Sequence, residues 1–440
     1  MNPSEALDRS IRLTRDLVAD SASNETILET LQKFRVRCYG DARNLSSHSG
    51  QTALITFVTL VARMGIQVDL AIPNIASVGQ QYPVLGGTLV DGLLDLGRDL
   101  VPGSYITAGD QIPCDITIAV GNSPVTSAAD GSLPGWRLVG HEWYGELTRL
   151  DCTGSDWAHE WPLGAMISAA LAATEVYKAA VRKLPLKDEI QVRLVEPAQK
   201  ARVDFGVGAY LLSSRCRVGK LDIISAGAIT QAFLYTLLRL PNIRGSIRVF
   251  ERERADLTNL NRYMLMRRSH VGWLKTEILR AALPRNFSLL TVPERFHPST
   301  VEQYLPMAPN VVVGVDHIAS RWLAQQYTHG RVAIGATSHF FSQTSSHEDG
   351  QACGGCLHPR DEDDDGSPLP TISFVSFWAG LALASRLVCQ SIGKPYGPER
   401  QDIEISTLRL DNPHGFLFRP VAARLNCPVG CLASKELRLK

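Results

Sequence analysis

The sequence of 440 residues has almost no net charge, since 45 lysines and arginines stand against 44 aspartates and glutamates. A general nucleic-acid binder carries a basic excess, because lysine and arginine supply most of its phosphate contacts. The near balance therefore argues against general nucleic-acid binding and leaves room only for a local basic site. We expect no nucleic-acid partner.

Long uninterrupted apolar runs are also scarce. The first residues, MNPSEALDRSIRLTRDLV, alternate charged and apolar side chains at helical spacing and lack the apolar core of a signal peptide. The longest apolar run, LPTISFVSFWAGLALASRLV at 369–388, contains serine, threonine, glycine and Arg386, which favours a buried helix over a membrane span. We therefore expect a cytoplasmic protein with no membrane partner.

The nine cysteines of this long chain indicate thiol or metal chemistry rather than a disulfide framework. Two close pairs stand out: CGGC supplies Cys353 and Cys356, and CPVGC supplies Cys427 and Cys431. Four thiolates suit a closed tetrahedral zinc site. The alternatives are four reduced thiols without metal and a redox CxxC, but the flanks of CGGC show no thioredoxin-like pattern. We predict a zinc site.

Two halves of the chain follow the same order of elements. Each begins strand–helix–strand, continues to another apolar strand and closes on a long helix after a proline; the matched ranges are 34–40, 50–65, 68–73, 115–120 and 162–181, then 220–225, 228–240, 245–251, 310–315 and 368–388. Strands that alternate with helices imply parallel sheets covered on both faces. We predict an α/β fold with two doubly wound, Rossmann-like domains, at residues 1–200 and 201–440. Two unrelated α/β domains of the same order are the alternative.

Polar residues follow the strands of the second half, at the edge where open α/β sheets bind ligands. The loop SAGAIT (225–230) opens a helix whose N–H groups could receive phosphate, and Glu251 lies roughly 20 residues beyond it, the usual spacing of a ribose-binding acid. Asn259, Arg262, Lys275 and Asp316 come next. Together they fit a nucleoside triphosphate with magnesium, whereas taken singly each is more often a solvated surface charge.

These residues carry a resemblance to a known family. The stretches IRVFERERADLTNLNRYM, HVGWLKTE and NVVVGVDHIASR are similar to the ubiquitin-activating enzyme superfamily, which includes the adenylyltransferases that activate the molybdopterin and thiamine sulfur carriers. The resemblance implies that Glu251 binds the ribose, that Asn259, Arg262 and Lys275 contact the phosphates, and that Asp316 organises magnesium. It also implies that Arg9, in DRSIRL, crosses from one adenylation unit into the ATP site of the other.

The glycine loop departs from the pattern of that family. Ser225, Ala228 and Thr230 replace three glycines of the family's Gly-x-Gly-Gly-x-Gly turn, and Gly227 alone remains. We interpret the segment as a phosphate loop that tolerates small side chains, with Gly227 and Ala228 next to the nucleotide. The hydroxyls of Ser225 and Thr230 are expected to face phosphate oxygens.

The first half lacks the corresponding chemistry. Pro73 stands at the end of its second strand where the other half has Glu251, and Gly121 and Asn122 follow its fourth strand where the other half has Asp316. The resemblance implies an inactive and an active adenylation unit, a pseudo-dimer within one chain, with the zinc site in the active unit.

The resemblance implies ATP-dependent adenylation of the C-terminal carboxylate of a β-grasp, ubiquitin-like protein, with ATP, Mg²⁺ and Zn²⁺. A conjugating enzyme would be a further partner if a thioester follows. The loop LHPRDEDDDGSPLP (357–370) contains no acceptor cysteine, Cys389 is predicted to be core, and Cys216 between two arginines is a weak candidate. The alternatives are a sulfur-carrier adenylyltransferase and a catalytically degenerate scaffold.

Overall fold

The computed structural model describes residues 2–109, 113–126, 133–158, 160–205, 217–284, 287–360 and 369–439. The described strands form two sheets. The first half contains β1 (Arg35–Tyr39), β2 (Gln67–Ala71), β3 (Ile106–Ala108), β4 (Ile116–Val120), β5 (Gly135–Gly140), β6 (Tyr144–Arg149) and β7 (Ala201–Asp204). The second contains β8 (Arg217–Ile224), β9 (Arg244–Phe250), β10 (Phe287–Val292), β11 (Asn310–Val313), β12 (Arg331–Ser338), β13 (Phe341–His347), β14 (Asp402–Ser406) and β15 (Phe416–Arg419).

The two described sheets share one topology over seven strands, and the second sheet has β15 as an eighth strand. Their orders are β3-β2-β1-β4-β5-β6-β7 and β10-β9-β8-β11-β12-β13-β14-β15. In each sheet the first five strands of this order are parallel, and the strands after β5 and β12 are antiparallel. The predicted pair of doubly wound α/β units in one chain is confirmed. Each sheet is mixed rather than wholly parallel, because tight turns after β5 and β12 reverse the chain without a crossover helix.

The first sheet extends past the boundary expected after residue 200. Strand β7 pairs with β6 from Leu147↔Ala201 to Tyr144↔Asp204. Backbone pairing decides which sheet residues 201–204 join, and no change in composition marks that pairing in the sequence.

Most of the described helices are short, and the longer ones include the helices that pack between the two halves. They are α1 (Pro3–Ala6), α2 (Asp8–Arg15), α3 (Asn24–Lys33), α4 (Ala42–Leu45), α5 (His48–Ala62), α6 (Leu89–Arg98), α7 (Leu163–Val181), α8 (Glu189–Leu194), α9 (Ala228–Leu238), α10 (Lys275–Ala282), α11 (Pro298–Gln303), α12 (Ile318–Tyr327), α13 (Gly354–Leu357), α14 (Ser373–Ser391) and α15 (Leu432–Leu439).

Four helices build the contact between the halves. α5 packs on α7, α9 packs on α14, and α7 and α14 touch across the pseudo-dimer. The Thr56 and Tyr235 hydroxyls lie 2.9 Å apart, and the Ser373 hydroxyl donates to the Leu60 carbonyl at 2.8 Å. A helix enclosed on all sides has no face for solvated charges, which explains why neither α5 nor α9 contains an aspartate, glutamate, lysine or arginine.

Helix α14 is the one described helix that is long and apolar enough to cross a membrane. It packs inside the protein, because 94% of its apolar window is buried. The predicted buried helix at 369–388 is therefore confirmed, with bounds shifted toward the C-terminus.

Replacing Gly380 of α14 by alanine should lower the free energy of unfolding by about 1–3 kcal/mol, because a new methyl group would overpack the contact with α9. The added Cβ would lie 2.5 Å from the Ala232 Cβ and 2.5 Å from the Phe233 nitrogen. Urea unfolding measures the change. Gly87→Ala is the control, since its Cβ meets nothing within 4 Å; equal unfolding midpoints for the two variants would contradict the packing.

Candidate active site

One cleft lies where β8, β9 and β11 end, and its volume is about 570 Å³. All eight residues predicted for nucleotide binding and chemistry line it: Arg9, Gly227, Ala228, Glu251, Asn259, Arg262, Lys275 and Asp316. Glu251 and Asp316 meet because parallel strands bring their carboxyl ends to one edge, whereas Arg9 reaches the cleft from helix α2 of the first half. The structure thus collects the predicted set, while the role of each residue stays a prediction.

The loop after β8 is held by its own polar groups. Ser225 adopts a φ of 84°, in the left-handed region that favours glycine, which explains why the family places glycine there. Its hydroxyl accepts the Gly227 N–H at 3.0 Å. The Glu251 carboxylate accepts the Ala226 N–H at 3.0 Å and the Glu253 N–H at 2.8 Å. These bonds fix the direction of the predicted ribose-binding carboxylate.

The hydroxyl of Thr230 does not face the cleft, and that prediction is wrong. Thr230 is fully buried on α9, and its Oγ1 lies 2.8 Å from the point where a Cβ on Gly314 would stand. The third residue of α9 therefore packs onto the strand end of β11. Only Ser225 of the two hydroxyl residues lines the cleft.

Two buried cations flank the cleft. Arg262 donates from Nη1 to the Thr258 carbonyl at 2.6 Å and to Asn261 Oδ1 at 2.7 Å. Burial lowers the pKa of Arg262, an effect that the neighbouring Tyr263, Asp256 and Asp316 oppose.

Lys275, the first residue of α10, bonds Glu253 Oε2 at 2.5 Å. Burial pulls the pKa of Lys275 down, but Tyr263 and the carboxylates of Glu253 and Glu251 outweigh it, so the pKa is raised. Lys275 therefore carries its charge at neutral pH.

The remaining predicted residues are placed by other elements. Arg9 reaches the cleft from α2 of the first half, and its Nη1 donates to the Leu369 carbonyl at 3.0 Å. Asn259 Oδ1 accepts the Asp256 N–H at 3.1 Å, which closes a short 3₁₀ turn, Leu257–Asn259. Asp316 is exposed at the mouth of the cleft. Arg321 holds the backbone directly before Asp316, because its guanidinium donates twice to the Val315 carbonyl, at 3.0 and 2.9 Å.

Sequence reasoning missed further residues of the cleft, among them Glu253 and Tyr263. Tyr263 is buried between the two cations: the Lys275 Nζ lies 5.7 Å and the Arg262 Cζ 5.4 Å from its ring centroid. Tyr263 directly follows Arg262, and Glu253 lies two residues after Glu251, so closeness in sequence to a predicted residue was the available signal.

The four predicted zinc ligands lie together beside α13. The ligand atoms of Cys353, Cys356, Cys427 and Cys431 all fall within 4.8 Å of one another. Sulfurs bonded at about 2.3 Å to a tetrahedral zinc ion stand about 3.8 Å apart, which this cluster matches. Burial, mainly, raises the pKa of the Cys356 thiol to about 11, so zinc binding must release protons. The donor set fits a structural zinc ion.

The corresponding edge of the first half is filled. By sheet register, Ile72 stands at the place of Glu251 and Asn122 at that of Asp316. The expectation that Pro73 matches Glu251 is thus one residue off, because β2 ends at Ala71. Asn122 bonds the Gly154 backbone in both directions, at 2.6 and 2.8 Å.

Helix α4 occupies the space above these strand ends. The connection from β1 to α5 covers residues 40–47, whereas 225–227 suffice between β8 and α9. The added turn buries Asn44 and Leu45 completely. Asn44 Oδ1 accepts the Trp157 N–H at 2.9 Å, and a Cβ on Gly40 would meet Leu45 Cδ1 at 2.6 Å. Asn44 and Leu45 therefore occupy the space directly above the end of β1, where the second half has the short loop 225–227.

The cysteine predictions have two outcomes. Cys389 is buried in α14, as predicted for a core residue. Cys216 lies outside the described residues, as does most of the acidic loop 357–370.

Comparisons with known proteins separate the two halves. Residues 214–436 match the model of the ThiF family, and residues 35–188 match that of the BilD N-terminal domain. The uncharacterized protein y4jF of Sinorhizobium fredii is 26% identical over 239 residues, which cover 49% of this chain and 42% of that protein.

Two solved structures are more distant. E. coli MccB crystallised with ATP is 18% identical with a TM-score of 0.40, covering 48% of this chain and 66% of that one. PaaA is 16% identical with a TM-score of 0.35, covering 43% and 60%. Of the y4jF protein, the chain spans less than half the length.

We expect one zinc ion per chain, measured by inductively coupled plasma mass spectrometry on purified protein. The double variant Cys356→Ser/Cys427→Ser should lose it, because two thiolates cannot close a tetrahedral site. Cys38→Ala is the matched control, since this buried thiol lies in β1, outside the cluster. Zinc retained in the double variant, or absent from the unaltered chain, would contradict the assignment.

Proposed function

The chain belongs to the ThiF family, whose model matches half of it, and from that premise we propose that its second half adenylates the C-terminal carboxylate of a ubiquitin-like protein with ATP. One observation carries the proposal: a carboxylate fixed for a ribose, three cations and a carboxylate at the mouth converge on a single cleft. At the corresponding edge of the first half, Ile72 and Asn122 stand in the places of Glu251 and Asp316.

Glu251 is the proposed ribose ligand. Each of its oxygens already accepts one backbone N–H, which leaves a lone pair on each for a ribose hydroxyl. The carboxylate therefore needs no rearrangement to bind the sugar.

In the proposed reaction, an oxygen of the carrier carboxylate attacks the α-phosphorus of ATP. The bond from that phosphorus to the bridging oxygen breaks, its electron pair stays on pyrophosphate, and an acyl adenylate forms without a proton transfer. Arg262, Lys275 and Arg9 stabilise the charge on the phosphate oxygens, which is the main contribution that fixed cations make in such reactions. Asp316 would hold Mg²⁺, which neutralises phosphate charge when bound.

Lys275 must exchange partners for this role. Its present partner, Glu253, is two-thirds exposed and free to turn into solvent. Because the raised pKa keeps Lys275 charged, it can pass from the carboxylate to a phosphate without losing its proton.

The architecture favours an activating enzyme of a conjugation pathway over a sulfur-carrier adenylyltransferase. Sulfur-carrier enzymes of this superfamily are usually homodimers of one active unit, whereas here a silent unit matches a domain model of its own. The same proposal includes a conjugating enzyme as a further partner and a location in the cytoplasm.

A degenerate scaffold is the alternative that one observation favours. Two N–H groups of the phosphate loop are already satisfied, by Ser225 and Glu251. In a scaffold these two N–H groups would keep their present partners, and the cleft would not bind ATP.

One incubation separates the three functions. The chain is mixed with MgATP and candidate β-grasp carriers, and intact masses are taken with and without thiol reductant. A reductant-sensitive adduct on the chain supports the activating enzyme, a carrier adenylate alone supports the sulfur-carrier function, and neither product supports the scaffold.

Asp316→Ala should reduce carrier-dependent exchange of labelled pyrophosphate into ATP by about a hundredfold or more, since a charge at the reacting phosphates is lost. Asp316 is exposed, so the thermal midpoint should stay unchanged. Asp349→Ala, at an exposed aspartate of the same half that does not line the cleft, is the control. Exchange at the unaltered rate in Asp316→Ala would rule out this role.

A further inference from the structure

Arg63 of the first half reaches into the second half beneath the cleft. It caps the C-terminus of α5 and is fully buried. Its Nη1 donates to the Leu260 carbonyl at 2.7 Å, and its Nη2 donates to the carbonyls of Met264 and Met266 at 3.2 and 2.6 Å. One side chain of the silent half thus binds three backbone carbonyls of the other half.

The segment that Arg63 binds carries the cleft. Asn259, Arg262 and Tyr263 all line the cleft and lie in or beside the stretch from 260 to 266. This stretch is made of turns, and its internal bonds are local, such as Tyr263 N–H to the Asn259 carbonyl at 3.0 Å. A segment without helix or sheet bonds depends on long-range contacts for a single conformation.

Among the described residues, few other long-range hydrogen bonds fix this segment, whose apolar side chains are also buried in the core, namely Leu260, Met264, Leu265 and Met266. Asn261 donates from Nδ2 to Ser10 Oγ at 2.9 Å and to the Thr371 carbonyl at 3.0 Å, and the Leu265 N–H donates to Gln231 Oε1 at 3.2 Å. Arg63 is the one side chain in the described part of the protein whose hydrogen bonds reach the backbone on both sides of Arg262. Its planar guanidinium also fixes the relative positions of the three carbonyls.

The electrostatics of Arg63 suit positioning rather than general stabilisation. Among the described residues no carboxylate pairs with it, and burial lowers its pKa to about 9. The guanidinium is still charged at neutral pH, so its bonds to the carbonyls are the charge-assisted kind. A buried cation without an anion costs free energy unless such bonds compensate it.

We propose that Arg63 is a positioning residue through which the silent half sets the affinity of the cleft for the phosphates of its nucleotide. The inference rests on the proposed function. Arg63 touches no ligand; it holds the backbone on either side of Arg262, so that the guanidinium of Arg262 points at the phosphates before ATP arrives. Without it, ATP must order the segment on binding, and that cost lowers affinity.

The pseudo-symmetry of the chain supplies a matched control. Arg239 caps α9 as Arg63 caps α5, and it is equally buried. Its Nη2 donates to the Tyr82 carbonyl at 2.8 Å, in the first half, and it does not line the cleft. Removing Arg239 imposes a comparable burial defect away from the proposed phosphate site.

Calorimetric titration of the full chain with ATP and with adenosine, both with Mg²⁺, tests the proposal. Arg63→Met should weaken ATP binding by about tenfold or more, the loss expected for one charge-assisted contact. Adenosine, which has no phosphate, should change by less than about twofold. Arg63→Lys should recover part of the loss, because an ammonium keeps the charge but not the fork of bonds. Arg239→Met should leave the ratio of the two affinities unchanged.

Three results would overturn the inference: an unchanged affinity ratio in Arg63→Met, the same change in Arg239→Met, or full recovery in Arg63→Lys. The thermal midpoint of each variant is measured beside the titrations. If Arg63→Met does not fold, the test compares the ratio of the two affinities in Arg63→Lys with that in Arg239→Met. If the unaltered chain binds ATP no better than adenosine, the proposed function fails first, so the two failures are distinguishable.

Discussion

The parallel register of β8, β9 and β11 is the constraint on which the cleft depends. Because these strands end side by side, the residues that follow them meet at one edge: Ser225, Glu251 and Asp316. The sheet keeps this register because its strands are buried between helices, where a slip would move apolar side chains into the wrong layer. The chemistry of the cleft is therefore a consequence of strand pairing, to which the loops add the cations.

The same register in the first half leads to a different outcome. Its strands also end together, but the extra turn α4 fills the edge with Asn44 and Leu45, and Asn122 is bonded to a neighbouring loop. What this half retains is contact with the other one, through Arg9 at the cleft and Arg63 beneath it. We interpret the two similar units as a division of labour: one half carries the cleft and the other supports it.

Periodicity and short motifs predicted the two units and seven residues that line the cleft, because strand ends and adjacent polar residues are local features of the sequence; the family resemblance added Arg9. These sequence features gave wrong predictions where a tertiary contact or strand pairing sets the position of a residue. Thr230 looks like part of a phosphate loop, yet helix rotation buries it against Gly314. Pro73 was one residue off because strand pairing sets the end of β2. Arg63 has no local signature at all, since its partners lie 197 to 203 residues away.

The central claim is that one edge of this pseudo-dimer binds ATP and the other does not. Native mass spectrometry of the full chain with MgATP measures the number of nucleotides bound directly. The account predicts one ATP per chain, and none after Lys275→Met, which removes the cation next to the predicted phosphates. Two nucleotides per chain, or one that persists in Lys275→Met, would contradict it.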